Sequence, residues 1–318
     1  MNRRVRLIGV GLIAAMVLSL AMLAAGCGDD DDDTGGSSTP TTAGATVDGT
    51  VVRIADKQFP ESEVVADIYA QALEAIGYKA KRTSLASSDI AFPAIKKGDI
   101  DLYPEYTGTA YGVLLKKTDV PAPDALYQAI KTAFAAQGLT TLTPSPYSND
   151  NRVACTKEAA DQYGLATLSD LGAQSANITY SANAEHLTRA DGLPLLKKEY
   201  GFTPKEIKTV AIGLRYKPIE DGQANCVYAF GTDPQIASLG LVVLEDDKGV
   251  FQGLSYQNFP VINTAFFDAQ PPIFAETLDK IDAALTDEVV SGLNAKTQLD
   301  EEDPEDVAAD FLASAGIQ

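Results

Sequence analysis

The chain has 318 residues, with 25 Lys+Arg against 44 Asp+Glu (a formal charge of −19), three cysteines, one histidine and no tryptophan. Such a length can bury one large or two medium cores, and the acidity argues against nucleic acid as a partner, because phosphate binding needs a basic face. A single histidine, His186, argues against a Ser-His-Asp triad or a His-rich metal site, and past residue 50 there is no CxxC, P-loop or GxGxxG between a strand and a helix.

Residues 1–26 read as a signal peptide. Asn2 to Arg6 is basic, Leu7 to Ala25 is apolar, and Leu23-Ala24-Ala25-Gly26-Cys27 places small residues before a cysteine. That end is similar to a bacterial lipobox, which implies cleavage before Cys27 and a diacylated thiol. The competing reading is a single membrane-spanning anchor. Residues 27–50, with Asp29 to Asp33 followed by Gly, Ser, Thr and Ala, cannot bury a core and read as an acidic tether. Losing Arg3, Arg4 and Arg6 with the signal takes the formal charge from −19 to −22. The mature protein is therefore expected outside the cytoplasm, held to the cell membrane by lipid.

From Val51 the pattern alternates β-branched runs with helical stripes, the α/β signature. Val51 to Ala55 predicts a strand, and Pro60-Glu61 opens a helix with Val64, Val65, Ile68, Ala72 and Ile76 on one stripe, closed by Gly77. Lys79 to Thr83 follows as a strand, then a short helix capped by Asp89 and stopped by Gly98, then a strand at Ile100 to Tyr103. Asp124 to Gln137 predicts a helix, and Pro144-Ser145-Pro146 breaks the series. A second series follows: strands at 152–156, 178–180, 207–212, 226–230 and 241–244, helices at 157–163, 169–173 and 193–200, and a mostly helical stretch from Phe274 to Ala315. The fold class is thus α/β with two lobes joined by two crossing segments and a ligand cleft between them. Lobe 1 is expected from 51–149 and 232–318, and lobe 2 from 150–231. Cys155 and Cys226 each lie in a β-like run, and an even pair outside the cytoplasm predicts a disulfide between neighbouring strands.

Four stretches carry a resemblance: Phe59-Pro60-Glu61-Ser62-Glu63; Lys96-Lys97-Gly98-Asp99-Ile100-Asp101-Leu102-Tyr103-Pro104-Glu105-Tyr106-Thr107-Gly108-Thr109; His186 to Pro194; and Val227-Tyr228-Ala229-Phe230-Gly231-Thr232-Asp233. Together with Leu241 to Asp247 they make residues 51 to 285 similar to the substrate-binding proteins of osmoprotectant ABC transporters, which take up glycine betaine, carnitine or choline. The resemblance implies a type II periplasmic-binding fold, an aromatic cage for a quaternary ammonium, and cationic or hydroxyl groups for the carboxylate. Residue by residue it implies Tyr106, Phe230 and Tyr256 as cage aromatics, with Phe230 standing where the family usually has tyrosine. Lys57, Thr109 and Arg189 fall at carboxylate positions, and Asp150 and Glu185 at acidic positions near the site. Arg152 stands where the family commonly has an aromatic; it meets either a second anionic group of the ligand or Asp150.

The expected function is delivery of a small zwitterionic quaternary-ammonium compound to an ABC permease by hinge closure, with no catalysis, no cofactor, no metal and a monomeric chain. A carboxylate-bearing ligand is expected to outcompete choline, because Lys57 and Arg189 would repel a pure cation. The rival readings are a receptor for a more anionic zwitterion, an exported hydrolase using Glu105 with Asp101, and a non-transporting sensor or adhesin lipoprotein.

Overall fold

A computed structural model describes residues 47, 49–119, 121–251 and 255–317. The expected signal peptide, Cys27 and nearly all of the tether lie outside the described residues. Among the described residues no helix is long and apolar enough to cross a membrane.

Two five-stranded sheets organise the chain. In the first, β1 (Val51–Asp56) lies between β2 (Lys79–Ser84) and β3 (Leu102–Tyr106), parallel to both. The second holds β5 (Asn151–Cys155), β6 (Thr179–Ala182), β7 (Glu206–Thr209), β8 (Cys226–Phe230) and β9 (Val242–Val243), in the order β7-β6-β8-β5-β9. The chain leaves the first sheet after β4 (Leu139–Thr141) through residues 142–150. It returns as β10 (Asn258–Asn263), antiparallel to both β3 and β4.

Side-chain alternation along each strand builds a core on both faces of each sheet. Val52, Ile54 and Leu102 face the helix Pro60–Ala75 and the C-terminal helices, whereas Ala55, Tyr103 and Val261 face the helices Ser88–Lys97 and Pro123–Ala135. In the second sheet Val153, Cys155, Tyr180 and Tyr228 share one core and Ala154, Val227 and Ala229 the other. A fully buried Ile68 or Leu73 on the first helix stabilises the fold by about 1.5–3 kcal/mol over its exposed state.

Several expectations shift. The helix expected at Asp89 begins at Ser88, with Ser87 as its N-cap and Pro93 inside it. The strand expected at 100–103 runs from Leu102 to Tyr106, so Tyr106 ends a strand. Strands β4 and β10 had no reading as strands, being short or carrying Pro260, yet Phe259, Val261 and Ile262 are fully buried in β10. The second sheet also draws on residues past 231: Val242–Val243 pairs with β5, and Leu244 and Phe251 pack in its core. A stretch of β-branched residues marks a strand, but its sheet is chosen by which partner edge it meets.

Strands β5 and β8 pair antiparallel with Cys155 opposite Cys226, and the two sulfurs are joined by a 2.05 Å bond.

Candidate functional site

A cleft is lined by residues from both halves of the chain: Lys57, Phe59, Ser87, Ser88, Tyr106 and Thr109 from the first half, Glu185, Arg189, Ile212, Tyr228 and Phe230 from the second, and Asn149, Asn151 and Tyr256 from the connections and β5. Local geometry aims them. After β1 the backbone turns at Gln58, whose φ of 56° is a left-handed conformation rare for a side-chain-bearing residue. This turn places Lys57 and Phe59 on the cleft, and Pro60 then starts the helix. Gly108 is required by Tyr256: a Cβ there would come within 2.6 Å of the tyrosine ring.

The rings form a connected wall. Phe59 lies 6.1 Å from Tyr106 and 5.9 Å from Phe230 between centroids, and Tyr228 meets Phe230 edge-on at 4.9 Å. Tyr256 donates to Asp191 Oδ2 at 2.9 Å and accepts from Asn151 Nδ2 at 3.0 Å. Tyr228 donates to Asn151 Oδ1 at 2.6 Å, and its other neighbour is His186, stacked on the ring at 3.8 Å. Tyrosine hydroxyls thus point into a polar frame while the faces stay apolar.

Both cations of the cleft are held by acids. The Lys57 ammonium lies 2.6 Å from Glu105 Oε1 and 4.5 Å from the centre of the Tyr106 ring. Burial pushes its pKa below the ordinary lysine value, with Glu105 opposing. Arg189 forms a two-pronged contact with Asp191 (2.5 and 2.7 Å), reaches Glu185 at 3.4 Å, and donates to Thr109 Oγ1 at 3.0 Å across the halves. Burial opposes the Arg189 charge, but Asp191 outweighs it and holds the guanidinium above its ordinary range. Burial raises the pKa of Glu185, with Arg189 pulling the other way. Two cations therefore meet three carboxylates, Glu105, Asp191 and Glu185, so the cleft carries no surplus positive charge.

Of the nine residues expected at the ligand, seven line the cleft: Lys57, Tyr106, Thr109, Glu185, Arg189, Phe230 and Tyr256. Asp150 and Arg152 lie elsewhere. They are not among its lining residues and pair with each other at 3.0 Å. Alternation along β5 explains this, since Asn151 takes the face toward Tyr228 and Tyr256, leaving Arg152 on the opposite one. Phe59, Ser87, Ser88, Asn149, Asn151, Ile212 and Tyr228 also line the cleft and were not among the expected residues. For Tyr228 a signal existed, because it shares a strand face with Phe230, two residues on. Glu105 and Asp101, the pair weighed as catalytic carboxylates, are both engaged: Glu105 accepts from Lys57 and the Tyr106 amide, and Asp101 binds Arg53 through both oxygens. Among the described residues no group of three or more His, Cys, Asp or Glu could hold a metal ion.

Residues 50–314 match the OpuAC family model, described as the substrate-binding domain of an ABC-type glycine betaine transport system. The chain belongs to this family. It is 30% identical over 284 residues to the glycine-betaine-binding protein of Pseudomonas aeruginosa, covering 85% of this chain and 89% of that one. It is 34% identical over 226 residues to the ergothioneine transport permease/ergothioneine binding protein EgtU of Helicobacter pylori, which covers 71% of this chain but only 40% of that longer protein. A solved structure described as a glycine betaine/carnitine/choline ABC transporter superposes with a TM-score of 0.66 at 26% identity, over 84% of this chain and 99% of that one. Members of the OpuAC family are transport binding proteins rather than enzymes, and the chain is accordingly a substrate-binding protein of an ABC transporter for glycine betaine-like compounds.

Proposed function

We propose that this OpuAC protein binds one small zwitterionic quaternary-ammonium compound in the cleft and presents it to an ABC permease after the two lobes close. The observation that carries the reading is the convergence of Phe59, Tyr106, Tyr228, Phe230 and Tyr256 on one cavity that also holds Lys57, Arg189 and Thr109. A quaternary ammonium offers no N–H to an acceptor, so ring faces recognise it, each worth about 0.5–2 kcal/mol. A carboxylate is met by the Thr109, Ser87 and Ser88 hydroxyls and by the cations.

The paired state of Lys57 and Arg189 changes one expectation. Their repulsion of a pure cation is largely offset by Glu105, Asp191 and Glu185, so the advantage of glycine betaine over choline is small in this reading. The same balance disfavours a more anionic ligand, and Arg152, the residue that had suggested one, pairs with Asp150. Export with residues 1–26 as signal, lipid on Cys27, and a monomer tethered beside its permease complete the proposal.

Calorimetry with glycine betaine, carnitine, choline and ergothioneine tests it, using wild type and Tyr106→Ala. Tyr106→Ala is expected to weaken every bound quaternary ammonium by roughly tenfold or more. Absence of heat with the whole panel, or binding indifferent to Tyr106, overturns the reading.

A further inference from the structure

Glu61 is the second residue of the first helix and is 3% exposed. Five neutral donors converge on its carboxylate. Tyr106 Oη (2.6 Å), Asn149 Nδ2 (2.9 Å) and Tyr147 Oη (3.3 Å) donate to Oε1. Thr232 Oγ1 (2.5 Å) and Asn294 Nδ2 (2.8 Å) donate to Oε2. A buried carboxylate is costly unless its oxygens are satisfied, and here hydrogen bonds supply that without a cation at contact distance.

The origins of the donors matter more than their number. Tyr106 ends β3 and is a wall of the cleft. Tyr147 and Asn149 lie on the 142–150 connection between the sheets. Thr232 follows β8 of the second sheet, two residues beyond Phe230, the facing wall. Asn294 sits on the helix Asp287–Gln298, and its Nδ2 also donates to the Thr232 carbonyl at 3.1 Å. The Thr232 hydroxyl lies 2.8 Å from Asn149 Oδ1 as well, so the second sheet, the connection and Glu61 share one polar node.

We propose that Glu61 is a positioning residue that couples the cleft to the hinge. One oxygen fixes the Tyr106 ring, and the other holds Thr232, and with it the second half, at a set angle to the first. Rotation of the halves must stretch the Thr232 bond, so the hinge setting and the shape of the aromatic wall are governed by one carboxylate. The inference rests on the cleft being the ligand site, although one of its two readouts needs no ligand.

The test replaces Glu61 by Gln, which keeps the shape but turns an accepting oxygen into a donor facing other donors. Spin labels on the exposed positions Ile90 and Leu214, one in each half, report the inter-lobe distance by pulsed electron resonance on a Cys27→Ser background. E61Q is expected to broaden or shift the distance distribution of the protein without ligand, and to weaken glycine betaine binding by roughly tenfold or more. T232V is expected to move the distance distribution with a smaller effect on affinity, and Y106F to lower affinity while leaving the distances unchanged. These two variants carry the test should E61Q not fold. If E61Q and T232V both leave the distances as in wild type, the proposal is overturned, whatever happens to melting temperature. If wild type does not bind glycine betaine but the distances still respond, the ligand reading fails and the positioning role stands.

Discussion

His186 is the chain's single histidine, and it is fully enclosed, with Nε2 3.1 Å from the Tyr180 hydroxyl and the ring stacked on Tyr228. Burial lowers its pKa from 6.5 to about 3. An unfolded chain would bind a proton on this ring near pH 6.5, whereas the folded protein does so only near 3. Unfolding therefore takes up a proton between those values, and this contribution to stability is lost as pH falls from 6.5 toward 3. Because no other imidazole exists, the proton NMR signal of this ring reads the effect directly. It is expected not to titrate between pH 8 and 5, and a midpoint near 6.5 in the folded protein would show the ring to be solvated. At the same scale, Gly108→Ala is expected to push the Tyr256 ring from its place, because the added Cβ would sit 2.6 Å from it. Weakened ligand binding with little loss of melting temperature is the expected pattern, and unchanged affinity would show that Tyr256 is not a wall of the site.

Among elements, the pairing of β5 with β8 holds the second sheet together at its centre, and the Cys155–Cys226 bond closes a loop of 71 residues across it. Closing a loop of that length restricts the unfolded chain, and removing the bond with Cys155→Ala/Cys226→Ala is expected to cost about 2–5 kcal/mol. Urea denaturation of the variant against wild type measures this. An unchanged midpoint would mean that the strand pairing and its buried neighbours suffice by themselves. The bond lies at the far end of β5 from Asn151, so ligand affinity of the folded variant is expected to stay within about twofold of wild type.

For the whole molecule, closure is the property on which the proposed function depends. Bonds already cross between the halves at Arg189–Thr109 and Thr232–Glu61, and Tyr256 meets Asp191. A ligand shifts the equilibrium between open and closed forms only by its preference for one of them. Small-angle scattering with and without glycine betaine is expected to show a smaller radius of gyration with ligand. A second expectation concerns place: Cys27→Ser is expected to move the protein from the membrane fraction to the soluble fraction. Retention at the membrane would favour a spanning segment over a lipid.

The sequence by itself determined the alternation of strands and helices, two β/α series divided near residue 144, a cysteine pair in two β-like runs, and a set of motif residues of which seven meet at one cleft. Those signals are local, because apolar period, glycine stops and strand-forming runs are written along the chain. Tertiary structure alone decided that β9 belongs to the second sheet, that Asn151 rather than Arg152 faces the cleft, and that Lys57 is neutralised by Glu105, 48 residues away. It also decided that Glu61 gathers donors from as far as Asn294, 233 positions on. The physical reason is common to all of these. Alternation fixes which neighbours share a face, but which face is turned to the ligand, and which charge finds its partner, is settled by contacts between segments far apart in the chain.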